Sequence, residues 1–141
     1  MAQYMDTDDI TEKYINKLSA QKLVYEHILD LSEKERAVLK SKPLVMHKVL
    51  EFLKAKEDHL NQIYELEQEI VPLRDIINTL HIDPRIRFRI KTYLHDIASI
   101  LENLLNIDAG NELMLQENLK QSSQPKITRQ HAAKAYAAFG K

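Results

Sequence analysis

Residues 43–80 read PLVMHKVLEFLKAKEDHLNQIYELEQEIVPLRDIINTL, and this stretch decides the fold. Its apolar residues recur every three or four positions: Val45, Val49, Phe52 or Leu53, Leu60, Ile63, Leu66, Ile70, Leu73, Ile77 and Leu80. That period puts them on one stripe of an α-helix, with glutamate and lysine over the remaining surface. At 1.5 Å per residue the rod is on the order of 50 Å long. So long a stripe needs matching rods, and the flanking segments must supply them. The pattern predicts an all-α chain: an elongated antiparallel helical hairpin with coiled-coil periodicity, joined by a third long helix.

The totals agree. Among 141 residues there are only 2 glycines and 4 prolines, which favours helices over a sheet or barrel. This length buries a core without staples, and one domain is expected. With 20 basic and 21 acidic residues and a net charge of −1, nothing marks a dedicated nucleic-acid binder. The absence of cysteine removes disulfides, thiolate metal sites and a cysteine nucleophile, which fits the cytoplasm. The polar start MAQYMDTDDI predicts no signal peptide, and no apolar run has the length of a membrane span.

Before the central rod, helix 1 is expected over about residues 9–40, with Asp9 as N-cap and Glu12 three positions on. Its stripe comprises Ile10, Tyr14, Leu18, Val24 or Tyr25, Ile28, Leu31 and Val38, interrupted by Gln21 and Glu35. Ser41-Lys42-Pro43 is the turn, with Ser41 a candidate cap and Pro43 in the first turn of helix 2, which spans 43–80. Pro72 is expected to kink that helix or split off its end. Asp83-Pro84 predicts the start of helix 3, over 84–120, with Asp83 as N-cap.

In RIRFRIKTYL, residues 85–94, cations alternate with Ile86, Phe88 and Ile90 in a strand-like period of two. Helix is the reading, because Tyr93, Leu94, Ile97, Leu101 and Leu104 continue at helical spacing. Arg85, Arg87, Arg89 and Lys91 oppose the helix dipole. They form either a solvated face or pairs with acids such as Glu65, Glu67 and Glu69. Gly110 marks a possible break. Residues 122–141 read as a mobile, basic, Ala-rich tail.

The apolar positions of helix 3 include adjacent pairs, Ile100-Leu101 and Leu104-Leu105, and the triplet Leu113-Met114-Leu115. That stripe is wider than a two-helix seam requires, and it completes a dimer or receives an amphipathic helix from a partner.

Catalytic chemistry finds little footing. None of the six histidines has a glutamate three residues before it, as a di-metal bundle requires; His47 with Glu51 has helical ligand spacing. Surface or half-buried histidines are the reading. Exposed His95 followed by Asp96 resembles a phosphoacceptor, yet the chain has no Gly-rich nucleotide segment. Gly110 and Gly140, the only glycines, exclude phosphate loops and nucleophile elbows. Tyr25, Tyr64 and Tyr93 read as core-edge packing.

Several stretches together resemble the FlgN-type flagellar export chaperones. Glu33-Lys34-Glu35-Arg36-Ala37-Val38-Leu39 is similar to the acidic end of that family's first helix. Lys54-Ala55-Lys56-Glu57 followed by Leu60, Ile63, Leu66 and Glu67 is similar to its central helix. Leu104-Leu105-Asn106 to Asn111-Glu112-Leu113-Met114 resembles the Asn-bounded apolar patch of its third. Ala135-Tyr136-Ala137-Ala138-Phe139-Gly140 resembles its C-terminal ending. Pro72, the cluster from Arg85 to Lys91 and the Ala-rich tail depart from the family pattern.

The resemblance implies a cytoplasmic, non-enzymatic protein without cofactor or metal. Such a chaperone binds the C-terminal amphipathic helix of hook-associated (hook-filament junction) proteins and delivers them to the flagellar export apparatus. On that reading the client lies along Leu101, Leu104, Leu105, Leu113, Met114, Leu115 and Leu119, with Tyr136 a further contact. Glutamate at Leu104 and Leu115 together is then expected to abolish client binding while leaving helicity intact. The alternatives are a dimeric coiled-coil scaffold or adaptor, for which a homodimer is expected, and a histidine phosphotransfer protein using His95.

Overall fold

The computed structural model describes residues 7–121. They form three long helices: α1 Thr7–Lys40, α2 Met46–Ile77 and α3 Pro84–Gln121. The chain is all-α, as the periodicity predicts. Helix α1 packs against both others, antiparallel to α2 and parallel to α3. The pairs Lys17–Glu69 and Glu35–Lys56 fix the first register, Lys22–Asp96 and Arg36–Asn111 the second. No Cα of α2 comes within 8 Å of one in α3, so the bundle is a V of backbones around α1, closed by side chains.

The core is layered along the axis. At one end Tyr14, Ile15 and Leu18 of α1 meet Ile70, Leu73 and Ile77 of α2 and Ile90 and Ile97 of α3. Ile28, Ile63 and Leu104 form the middle layer. Leu39, Val49, Leu53, Leu115 and Leu119 form the far end. Burial at roughly 25 cal/mol per Å² of apolar surface drives this packing. Between the last two layers lies a polar one, where Ser32, Glu35, Lys56, Asp108 and Asn111 are all buried.

The helix boundaries show where local signals win. Asp83 accepts from the Arg85 amide at 2.8 Å, and Pro84 opens α3, as the sequence predicts. In the basic stretch, Ile90, Tyr93 and Ile97 turn inward at helical spacing. Phe88, the alternate-position residue that a strand would bury with them, is left outside.

Several expected boundaries differ from the structure. Helix α1 starts at Thr7, so Asp9 lies within its first turn; Thr11 Oγ1 donates to the Thr7 and Asp8 carbonyls there. Ser41, the candidate cap, closes the end of α1, its hydroxyl donating to the Ala37 carbonyl. Helix α2 begins only at Met46, beyond a cis Lys42–Pro43 bond, and ends at Ile77. Asn78 caps it, and Thr79 and Leu80 follow in tight turns. Of the two outcomes expected at Pro72 the split does not occur, since α2 continues through it; residue 68, whose carbonyl loses a donor, is exposed. Helix α3 likewise continues through Gly110.

The tail at 122–141, with Tyr136 and Phe139, lies outside the described residues. Among the described residues no helix is long and apolar enough to cross a membrane.

Candidate partner-binding surface

The residues proposed along α3 divide between core and surface. Leu104 is 0% exposed, and Leu115 and Leu119 are also buried against α1 and α2. The seat that a guest helix would need at those three positions is occupied by the chain's own rods. Replacing Leu104 and Leu115 by glutamate therefore places charges in the core and unfolds the bundle, contrary to the expectation of intact helicity. Leu101 and Met114 are half-buried at the edge of the core. Leu105 and Leu113 remain outside, 46% and 66% exposed.

A different groove emerges from the geometry. The line Leu94, Leu101, Asp108, Leu115 repeats every seven residues and faces α2, because Asp108 reaches Lys56 and Leu115 packs with Val49 and Leu53. Leu94, at one end of that line, and Leu105, four residues beyond Leu101 on its outer side, are both exposed. On α2, Glu69 at one edge of the apolar stripe reaches Lys17 on α1. The opposite edge, Leu50, Glu57, Tyr64 and Val71, therefore borders α3, and Leu50 does pack against the cluster containing Leu115 and Leu119. Counting outward from the Lys56–Asp108 contact along antiparallel helices brings Tyr64 level with Leu101 and Val71 level with Leu94. Tyr64 and Val71 are exposed. This register places Tyr64 and Val71 of α2 across the α2–α3 seam from Leu101 and Leu94, an apolar groove inferred from helix geometry and from the exposure of its edge residues. Leu113 is not part of it; eight residues beyond Leu105, it lies roughly 80° further round the helix.

The polar layer fixes the register of this groove. Lys56 Nζ donates to Glu35 Oε1 at 2.7 Å, Asp108 Oδ1 at 3.0 Å and Ser32 Oγ at 3.2 Å. Asn111 donates to the Ser32 carbonyl and to Glu35. Arg36 donates to Asn111 Oδ1 and the Ile107 carbonyl. A Cβ on Gly110 would overlap the Arg36 guanidinium, so glycine here serves a close approach and not a break. Asp108 Oδ2 is buried and has no hydrogen-bond partner among the described residues. Buried ion pairs add little net stability against apolar replacements, but a misregistered pairing would leave each charge alone in the core.

Sequence reasoning saw Gln21 and Glu35 only as interruptions of the α1 stripe. Gln21 is buried and donates to Glu67 at 2.7 Å. Lys56 was missed as a core residue, though it occupies the seven-residue line Val49, Lys56, Ile63, Ile70, Ile77. That spacing was the available signal.

The titratable tyrosines lie towards the other end. Burial pushes the Tyr14 hydroxyl above its ordinary pKa of 10.0, with Arg74 lowering it and Glu67 raising it. Burial, then Glu67, does the same to Tyr25. Tyr93 is half-buried as expected, whereas Tyr64 is a groove wall. The His27 and His59 rings meet across α1 and α2, tilted by 55° with their centres 5.7 Å apart. Among the described residues no group of three His, Asp or Glu side chains is placed to hold a metal ion. His95 is exposed, and its neighbour Asp96 is engaged by Lys22 at 3.1 Å.

No family model matches the chain, and neither a curated protein nor a solved structure matches it.

Proposed function

We propose that the chain is a cytoplasmic export chaperone of the FlgN type. It holds the C-terminal amphipathic helix of a hook-associated protein, prevents its premature self-association and hands it to the flagellar export apparatus. Support comes from the sequence resemblance and from one structural observation: Tyr64 and Val71 of α2 and Leu94 and Leu105 of α3 are exposed, and the helix register puts them on facing flanks. A guest helix laying its i, i+3, i+4 positions between them buries those side chains. Its seat shifts from the expected Leu104, Leu115 and Leu119 to this neighbouring groove. Burial favours association and ordering of the client opposes it, so the affinity is moderate and release is accessible.

Titration calorimetry of the full chain with C-terminal peptides of hook-associated proteins tests the reading. Leu94→Glu with Leu105→Glu changes exposed positions only; it leaves helicity unaltered and abolishes binding. Unchanged binding in that variant rules the groove out. If no such peptide binds and the same change turns a dimer into monomers, the chain is a coiled-coil scaffold.

A further inference from the structure

The opposite flank of α3 carries a second surface, and it rests on no part of the guest-helix reading. Between Asp83 and Asp96 the chain holds four cations and no acid. Of these, Arg85 has a contact to Asp83 at a loose 3.8 Å. Arg87, Arg89 and Lys91 make no ion pair among the described residues. Of the acids named for them, Glu67 is engaged by Gln21 and Glu69 by Lys17 on α1, and Glu65 makes no ion pair with them among the described residues. Arg85 and Arg87 lie in the first turn of α3, where cations cost stability against the helix dipole, and Asp83 at the N-cap is the one acid in contact with them among the described residues.

Phe88 stands among these charges, 70% exposed, with Arg85 three residues before it and Lys91 three after. Beside it opens a pocket of about 360 Å³, walled by Phe88, Arg89, Thr92, Tyr93, Lys22 and Asp96. The Lys22–Asp96 pair at 3.1 Å closes one side of it. A solvated basic face needs neither an exposed phenyl ring nor a concavity.

We infer that this surface docks an acidic peptide segment of a protein partner, one apolar side chain entering the pocket beside Phe88 while flanking carboxylates pair with Arg85 and Arg89. Arginine suits carboxylates because its planar fork binds them with two parallel hydrogen bonds. The cavity favours a peptide over a lipid surface, which presents no projecting side chain to fill it. It favours a peptide over single-stranded nucleic acid as well, since one exposed ring gives successive bases no row to stack on.

The test uses the full chain and fluorescein-labelled peptides read by anisotropy: one with a single leucine among glutamates, one with lysines in place of the glutamates, one with alanine in place of the leucine. The acidic leucine peptide binds most tightly and loses affinity with added salt. Arg85→Glu with Arg89→Glu weakens it by about ten-fold or more. Phe88→Ala removes the advantage of leucine over alanine. Should the double reversal lose helicity, Phe88→Ala and the salt dependence decide. Equal binding of the lysine peptide, indifference to these substitutions, or tighter binding to phosphatidylserine vesicles or oligothymidylate overturns the inference.

Discussion

Lys56 on α2 and Glu35 on α1 meet nitrogen to oxygen at 2.7 Å, with both side chains sealed from water. Asp108 brings α3 to the same nitrogen at 3.0 Å. One lysine therefore ties all three helices.

Removing that lysine strands two carboxylates in the core. Lys56→Met is expected to cost about 3–5 kcal/mol, read as a lower urea midpoint by circular dichroism. Adding Glu35→Leu and Asp108→Leu restores most of that loss, because no charge is then left buried. A single substitution that leaves the midpoint unchanged contradicts the network.

Gly110 and Arg36 are coupled through space. Glycine to alanine inside a helix ordinarily gains roughly 1 kcal/mol. Here the new methyl group displaces the Arg36 guanidinium from Asn111 and the Ile107 carbonyl, and the gain is cancelled. In an Arg36→Ala background Gly110→Ala stabilises by the full ~1 kcal/mol. A double-mutant cycle measured by denaturation checks the difference.

Alkali should loosen the end of the bundle where Tyr14 lies. Burial raises the pKa of Tyr14 and Tyr25, and the hydrogen bond to Asp96 raises that of Lys22. In each case the folded chain holds its proton more tightly than the unfolded one. Stability is therefore fully present below about pH 10 and falls as pH rises through the folded-state values. Urea midpoints at about pH 9 and about pH 11 measure the loss, and Tyr14→Phe reduces it. A midpoint indifferent to that rise contradicts the assignment.

The rods were legible because Val49, Ile63, Ile70 and Ile77 or Tyr14, Leu18 and Ile28 repeat at spacings that only a helix brings to one side. Asp83-Pro84 was legible because a cap is a local device. What escaped was non-local. Nothing near Lys56 in the chain says that Glu35 and Asp108 wait across the bundle, so a core lysine reads like a surface one. Gly110 reads as a breaker unless Arg36, on another helix, is known to lie over it. The wide α3 stripe is divided by the fold: Leu104, Leu115 and Leu119 are buried, and Leu94, Leu105 and Leu113 stay outside. Which half of it stays outside depended on how far α2 stands from α3, a distance that composition and period do not encode.

The groove between α2 and α3 is tested most directly by photo-crosslinking from single positions of the full chain. A benzophenone side chain is placed at Leu105, at Val71 or at Leu113, and a C-terminal helix peptide of a hook-associated protein is added. The account predicts crosslinks from positions 105 and 71 and none from 113. Crosslinking from 113 alone, or equally from all three, would contradict it.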